Sequence, residues 1–265
     1  MLFQHLQPRL LQPLRQQVPL LWQEYWQHAY SQQQVQQLHN LREAWKKTRV
    51  QHINLLRGIL RELGVAAPSS TQAFLRQACE LIERPEVCAL RGALQMVLAE
   101  ISLCEQSMRD SEEQLARWHA DDDIVHKLDE VSGIGLLTAG ALKTAVGKPE
   151  RFASGRHLSA WLGMTPNEYS SGERRRLGCI SCKGNTYVRT LLIHGARAAL
   201  LAAKRCQTRT PERLTQLQRW ALQTAERIGH NKAAVALANK LVRICWAVWC
   251  HERRFSGDWQ SARPA

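Results

Sequence analysis

Leu128-Asp129-Glu130-Val131-Ser132-Gly133-Ile134-Gly135, followed by the apolar run Leu136 to Val146, decides how the second half of this chain folds. An apolar helix end, a tight Gly-x-Gly turn and a second apolar helix make a helix-hairpin-helix. Two glycines allow a backbone to approach a phosphate closely. The helix that follows offers free N–H groups and the positive end of its dipole. Gly133, Gly135 and Lys143 are therefore candidate contacts to DNA.

Downstream, residues 161–189 read WLGMTPNEYSSGERRRLGCISCKGNTYVR, the most loop-like and most basic stretch of the chain. Ser170-Ser171-Gly172 is flanked by Arg174, Arg175 and Arg176, with Lys183 and Arg189 beyond. Guanidinium forks match phosphate oxygens, and Tyr169 and Tyr187 are suited to stacking on bases or sugars. A serine hydroxyl in this setting can attack a phosphodiester, the arginines offsetting charge that develops on phosphorus. The same Ser-Ser-Gly is also what a simple turn requires. The remainder is helical: Thr210-Pro211-Glu212 gives an N-cap and a first-turn proline, Gly229 a stop, and Asn231 opens an Ala-rich helix running to about Trp249.

Upstream, Leu38, Leu41, Trp45, Thr48, His52, Leu55 and Ile59 follow heptad spacing, with Gly64 and Pro68 as the stop. Ser69 and Gln72 suggest a capping box for a short helix ending before Pro85. Leu94, Val97, Ile101, Cys104, Met108, Ser111, Leu115 and Trp118 then keep a cleaner a/d pattern. Two such helices form an antiparallel hairpin, a dimerising coiled coil, or two ordinary amphipathic helices packed on one core. Asp121, Asp122 and Asp123 precede a helical start and are expected to cap it. Residues 1–37, with 12 glutamines and three prolines, read as a poorly ordered lead-in or remnant, within which Leu20 offers a helical start.

Charge is distributed unevenly along the 265 residues. Residues 1–150 carry 16 Lys and Arg against 17 Asp and Glu, whereas residues 151–265 carry 20 against 6. A one-sided basic field of this size suits a polyanion, since each cation meeting a phosphate releases condensed counterions. The run Ile244–Cys250 is far shorter than the ~20 residues of a membrane span, and no membrane partner is expected. Cys179 and Cys182 have ligand spacing but no second pair, so no metal is expected in this chain. Cys79, Cys88, Cys104, Cys206 and Cys245 read as small core residues.

Four blocks, SGIGLLTAGAL, RFASGRHLSAWLGMTPNEYSSGERRRLGCIS, GNTYVRTLLIHGARAAL and GHNKAAVALANKLVRICWAV, resemble in order the C-terminal domain of DEDD-type insertion-sequence transposases. This is the IS-110 group, which includes the pilin-gene invertases; KKTRVQHINLLRGILRELG resembles the family's coiled coil more weakly. The resemblance implies DNA transposition or site-specific recombination, with a serine joined covalently to DNA. By motif that serine is Ser171, with Ser170 as alternative and Ser181 behind both. It also implies an N-terminal resolvase-like domain whose carboxylates hold Mg²⁺. The first aspartate here is Asp110, and nothing before it resembles the family's DxxD segment. The expectation is therefore a truncated member, not catalytic alone. The alternative is a non-catalytic nucleic-acid-binding regulator that co-assembles with a full-length transposase. Implied partners are DNA, a structured guide RNA as in some members, and either copies of the chain or a full-length relative. The implied setting is the bacterial cytoplasm, in association with the nucleoid.

The expected architecture is all-α. A lead-in at 1–37 precedes a long-helix oligomerising region at 38–127, a compact DNA-binding domain at 128–250 containing the helix-hairpin-helix, and a tail at 251–265.

Overall fold

The computed structural model describes residues 20–172, 174 and 176–258, with side chains from residue 32 onward. Most of the expected lead-in, residues 1–19, the tail beyond residue 258, and Arg175 lie outside the described residues. The fold is all-α with two short strands, and the chain divides into two compact units, residues 1–115 and 116–265.

In the first unit α1 (Leu20–Glu62) begins inside the glutamine-rich stretch, at the helical start that the sequence offered near Leu20. It is followed by α2 (Thr71–Ile82), a 3₁₀ turn (Pro85–Leu90) and α3 (Arg91–Trp118). The N-cap of α2 is Ser70, with no side-chain cap bond, so the box expected from Ser69 and Gln72 does not form. Cys79 in α2 and Cys88 in the 3₁₀ turn are exposed, contrary to their expected place in the core.

The seam expected on α3 buries Leu94, Ile101, Cys104, Ser111 and Leu115, while Trp118 is exposed. On α1 the buried seam lies one residue away from the expected one. Val35, His39, Ile53, Leu56 and Leu60 are buried, whereas Leu41 and Leu55 are 47% and 51% exposed. The spacing of the buried residues continues through Arg42, Lys46 and Arg49, so the middle of the true seam is cationic and invisible to a count of apolar residues. Arg42 and Arg49 pair with Glu112 and Glu105 of α3, each at 2.6 Å. Seven residues forward on α1 is seven residues back on α3, which makes the two helices an antiparallel pair within one chain. Ile53, Leu56 and Leu60 meet Phe74, Leu81, Leu94 and Ile101 in one apolar cluster.

The second unit is built around α9 (His230–Cys250), against which α7 (Thr186–Arg209), α6 (Gly155–Trp161), α8 (Gln216–Ile228) and α4 (Asp123–Asp129) pack. α5 (Leu136–Val146) sits on α4 and α7, and β1 (Pro166–Glu168) and β2 (Leu177–Ile180) form a hairpin between α6 and α7. Ala233, Ala234 and Ala238 bring helices close to α9, and Leu237, Leu241 and Val248 supply its buried stripe. Pro211 opens only a 3₁₀ turn (Pro211–Arg213); α8 starts later, under a reciprocal capping box between Thr215 and Gln218.

Among the described residues, Pro85–Trp118 and α9 are long and apolar enough to cross a membrane by length and composition, which the shorter apolar runs did not suggest. Both have uses within the protein. α9 is the centre of the second unit's core, while α3 turns Leu94 and Ile101 to its own core and Glu105 and Glu112 to the arginines of α1.

The turn after α4 packs where α7 is thinnest. Gly133 has φ +92°, and a Cβ there would lie 2.9 Å from the Gly195 carbonyl oxygen and from the Ala199 Cβ. A Cβ on Gly195 would fall almost on the Gly133 carbonyl. Gly135, at the N-cap of α5, faces open space.

Two stability comparisons follow from this packing. Ile53→Ala is expected to cost about 2–4 kcal/mol and Leu55→Ala to stay within about 0.5 kcal/mol in chemical unfolding. Equal losses would return the seam to the apolar register. Gly133→Ala is expected to cost roughly 2–4 kcal/mol through left-handed strain and overpacking, against less than about 1 kcal/mol for Gly135→Ala.

Candidate nucleic-acid interface

The stretch that reads as a loop in sequence is a β-hairpin. β1 and β2 pair antiparallel, Pro166 opposite Ile180 and Glu168 opposite Leu177, with an irregularity between. The Tyr169 N–H donates to the Arg176 carbonyl at 2.8 Å, and Ser171 and Arg174 exchange N–H to carbonyl bonds across the tip. Gly172 supplies the positive φ (+56°) that closes the turn. Both strands are largely exposed, so the alternation that marks a half-buried strand is missing.

The base of the hairpin is tied to the helical core. Ser181 N–H donates to Thr165 O at 2.9 Å and Cys182 N–H to Gly163 O at 3.1 Å. Arg189 of α7 lies beneath this junction and is 7% exposed. Its guanidinium donates to Leu162 O at 3.0 Å, to Lys183 O at 3.4 Å and to Thr186 Oγ1 at 3.1 Å. Gly163 and Gly184, both at positive φ, let the two chain segments touch: a Cβ on either would lie within about 2 Å of a carbonyl oxygen on the other segment.

The two serines differ in their bonding. Ser170 Oγ donates to Glu168 Oε1 at 2.7 Å and accepts the Arg176 N–H at 3.0 Å. Its hydroxyl is part of the hairpin's own bonding. Ser171 is exposed at the tip, and its hydroxyl has no hydrogen bond among the described residues. Tyr169 is 67% exposed, its ring lying against Gly178, where a Cβ would come within 2.9 Å. Tyr187, by contrast, packs on the core.

The expected DNA contacts therefore separate into groups. Arg174 and Arg176 lie on the hairpin and Lys183 at its base, all exposed. Arg189 is enclosed and bonded, Gly133 is pressed on α7, and Gly135 is open. Lys143 is ion-paired with Asp122. A second basic surface, its cations contributed by α6, by α9 and by the segment after α9, escaped the sequence reading because Arg156 is far in the chain from the other cations.

Asp122 caps α4, its Oδ1 accepting the Val125 N–H at 3.2 Å. Burial pushes its carboxyl upward, but the bonds from Lys143 and Val125 outweigh this and hold it below its ordinary 3.8. A carboxylate so engaged is poorly disposed to take a divalent ion. Among the described residues no group of three or more His, Cys, Asp or Glu is placed to hold a metal. The described residues do not fit a Mg²⁺ site.

Beside Asp122, His119 is 5% exposed and packs against Gly140, where a Cβ would meet its ring at 2.6 Å. Nδ1 stands 3.6 Å from Asp122 Oδ2, and among the described residues neither ring nitrogen has a hydrogen-bond partner within normal bonding distance. Burial lowers its pKa from 6.5, against a smaller upward pull from Asp122. An imidazole that binds its proton less readily folded than unfolded favours unfolding once protonated. The stability it permits is therefore complete above about 6.5 and falls as pH drops through that value. The melting temperature is expected to decline between neutral pH and mildly acidic pH, and His119→Phe to flatten that decline. An unchanged slope in the variant would assign the effect elsewhere.

Comparison with known proteins fits this arrangement. Residues 125–211 match the model of the "Transposase IS116/IS110/IS902 family". The chain is 35% identical over 225 residues to a probable family 20 transposase of Pseudomonas aeruginosa, covering 83% of this chain and 64% of that protein. It is 33% identical over 228 residues to the transposase for insertion sequence element IS1111A of Coxiella burnetii, covering 84% of this chain and 60% of the relative. Against the transposase for insertion sequence element IS1328 of Yersinia enterocolitica it is 32% identical over 230 residues, 85% of this chain and 65% of the relative. The chain thus spans about three-fifths of the length of the curated relatives it matches. The family match falls on α4 to α7 and the hairpin between them, so residues 125–211 carry the IS116/IS110/IS902 transposase family's pattern and most of the chain is similar to insertion-sequence transposases.

Proposed function

We propose that this chain is the DNA-engaging part of an insertion-sequence transposase, acting in the bacterial cytoplasm on the nucleoid, with Ser171 as its nucleophile. The observation that supports the choice of serine is the hairpin tip. Ser171 is exposed there with its hydroxyl uncommitted among the described residues, while Ser170 is held by Glu168 and Arg176. Arg174, Arg175, Arg176 and Lys183 meet phosphates around it, and the Gly133–Gly135 turn acts as a helix-hairpin-helix contact through its open Gly135 side. Arg189 does not touch DNA but fixes the hairpin's base.

In the reaction, Ser171 Oγ attacks a backbone phosphorus. A Ser–O–P bond forms, the proton leaves to solvent, and the P–O bond to one sugar breaks with departure of a sugar hydroxyl. The two guanidiniums flanking the tip stabilise the added charge on phosphorus. Carboxylates and Mg²⁺, and with them full activity, come from a resolvase-like domain or a full-length partner; a guide RNA and further copies of the chain are further partners in this reading. A non-catalytic regulator would share the binding surface and lack the covalent step.

Incubation with labelled DNA bearing candidate element ends and Mg²⁺, resolved on a denaturing gel, tests the assignment. With a full-length relative present to supply the carboxylates, a protein–DNA band at the size of this chain is expected from the wild type and from Ser170→Ala, and none from Ser171→Ala. Binding without a band in any sample would favour the regulator. In filter binding, replacing Arg174–Arg176 by alanine is expected to weaken duplex binding and to reduce the salt slope by roughly one unit per arginine. Salt-independent binding would refute the phosphate contacts.

A further inference from the structure

A large concavity of the second unit lies away from the hairpin tip. It is a groove of about 1840 Å³ between α6, α8 and α9, with Pro166, Leu177 and Gly178 of the hairpin strands in one wall. Arg156, Lys232, Lys240, Arg243 and Arg253 line it, and no Asp or Glu does among the described residues. Its floor is apolar, from residues such as Met164, Leu217, Val235 and Ile244, and Trp220, Trp246 and Phe255 add aromatic surface. The Lys240 ammonium lies over the Trp220 ring, 4.1 Å from its centroid. The groove thus sets a fixed cation against an aromatic wall.

Three properties narrow the occupant. Small-molecule pockets run to about 1,000 Å³, so this groove is too large for one such ligand and suits a chain. The lining cations with no compensating carboxylate demand a polyanion. An apolar and aromatic floor rules against a duplex as the best fit, since a duplex turns phosphates and sugars outward and keeps its base faces stacked inside. An unpaired strand offers both, phosphates to the rim and base faces to the floor.

We infer that this groove binds an unpaired nucleic-acid strand, its phosphates on Arg156, Lys232, Arg243 and Arg253 and its bases against the aromatic floor. The inference rests on the nucleic-acid-handling reading above and adds to it a second surface and a different ligand form. Because the hairpin strands form one wall, a strand in the groove runs past the base of the element that carries Ser171. The groove would then hold single-stranded substrate or guide beside the site of strand attack.

Fluorescence anisotropy on the full chain tests this with three labelled probes of equal length: oligothymidylate, oligouridylate and a DNA duplex. The triple variant Arg156→Ala/Lys232→Ala/Arg243→Ala is expected to weaken single-strand binding at least about tenfold and duplex binding by no more than about twofold. Lys232→Glu/Arg253→Glu, which alters two exposed side chains, repeats the test should the triple variant unfold. Arg174→Ala/Arg176→Ala is expected to show the opposite preference. Tighter binding of oligothymidylate would identify a DNA strand and of oligouridylate an RNA strand, and either supports the groove. Single-strand affinity unchanged by both groove variants, or equal losses for single strand and duplex, would overturn the inference while leaving the hairpin reading intact. Selective loss in the groove variants, with duplex binding indifferent to the hairpin arginines, would uphold the groove and overturn the hairpin's phosphate contacts instead.

Discussion

The second unit depends on one enclosed cation. Arg189 sits where α6 ends, where the hairpin returns and where α7 begins, and its donors are taken up by carbonyl and hydroxyl oxygens from these segments. A buried guanidinium without such partners would carry a heavy desolvation cost; with them it is a fixed point that the backbone must meet. Gly163 and Gly184 allow that meeting by removing the side chains that would hold the two segments apart. The exposed hairpin has little core of its own, so its direction is inherited from this junction. Ser171, at the far end, is positioned by a residue that does not approach it.

A division of labour among charges follows. In this unit, positive residues that resemble one another in sequence have separate fates. Arg189 is a structural donor, Lys143 neutralises the Asp122 cap, and Arg174 and Arg176 stand in solvent on the hairpin. Lys240 is committed to an indole face, where burial, and secondarily Arg243, lowers its pKa. Only part of the basic excess is thus available to a phosphate, and that part is concentrated on the hairpin and in the groove.

How far the sequence foretells this varies with the kind of information each element uses. α3 and α9 are legible because their buried faces are apolar at helical spacing, and burial is what that spacing encodes. α1 is legible as a helix but not in its rotation, since the seam passes through Arg42, Lys46 and Arg49, and charged residues count against burial until their partners on α3 are known. The hairpin is hidden for the converse reason: its strands pack on little, so no alternation records them. Gly133 was legible as a residue that permits close approach, but sequence does not say what approaches, and in the fold α7 already fills that side. The groove is hidden because its lining residues come from segments far apart in the chain.

The cationic middle of α1 gives its pairing with α3 a single alignment. An apolar seam alone tolerates slippage by a heptad, because one leucine replaces another with small loss. Here a slip of seven residues in one direction would set Arg42 against Glu105 but leave Arg49 facing Leu98, with Glu112 unanswered. In the other direction Arg49 would reach Glu112, and Arg42 would be left without a carboxylate. The arginine pairs therefore work as a vernier on the α1–α3 pairing. Together with the apolar cluster through α2, they favour one alignment over the family of alignments one heptad apart.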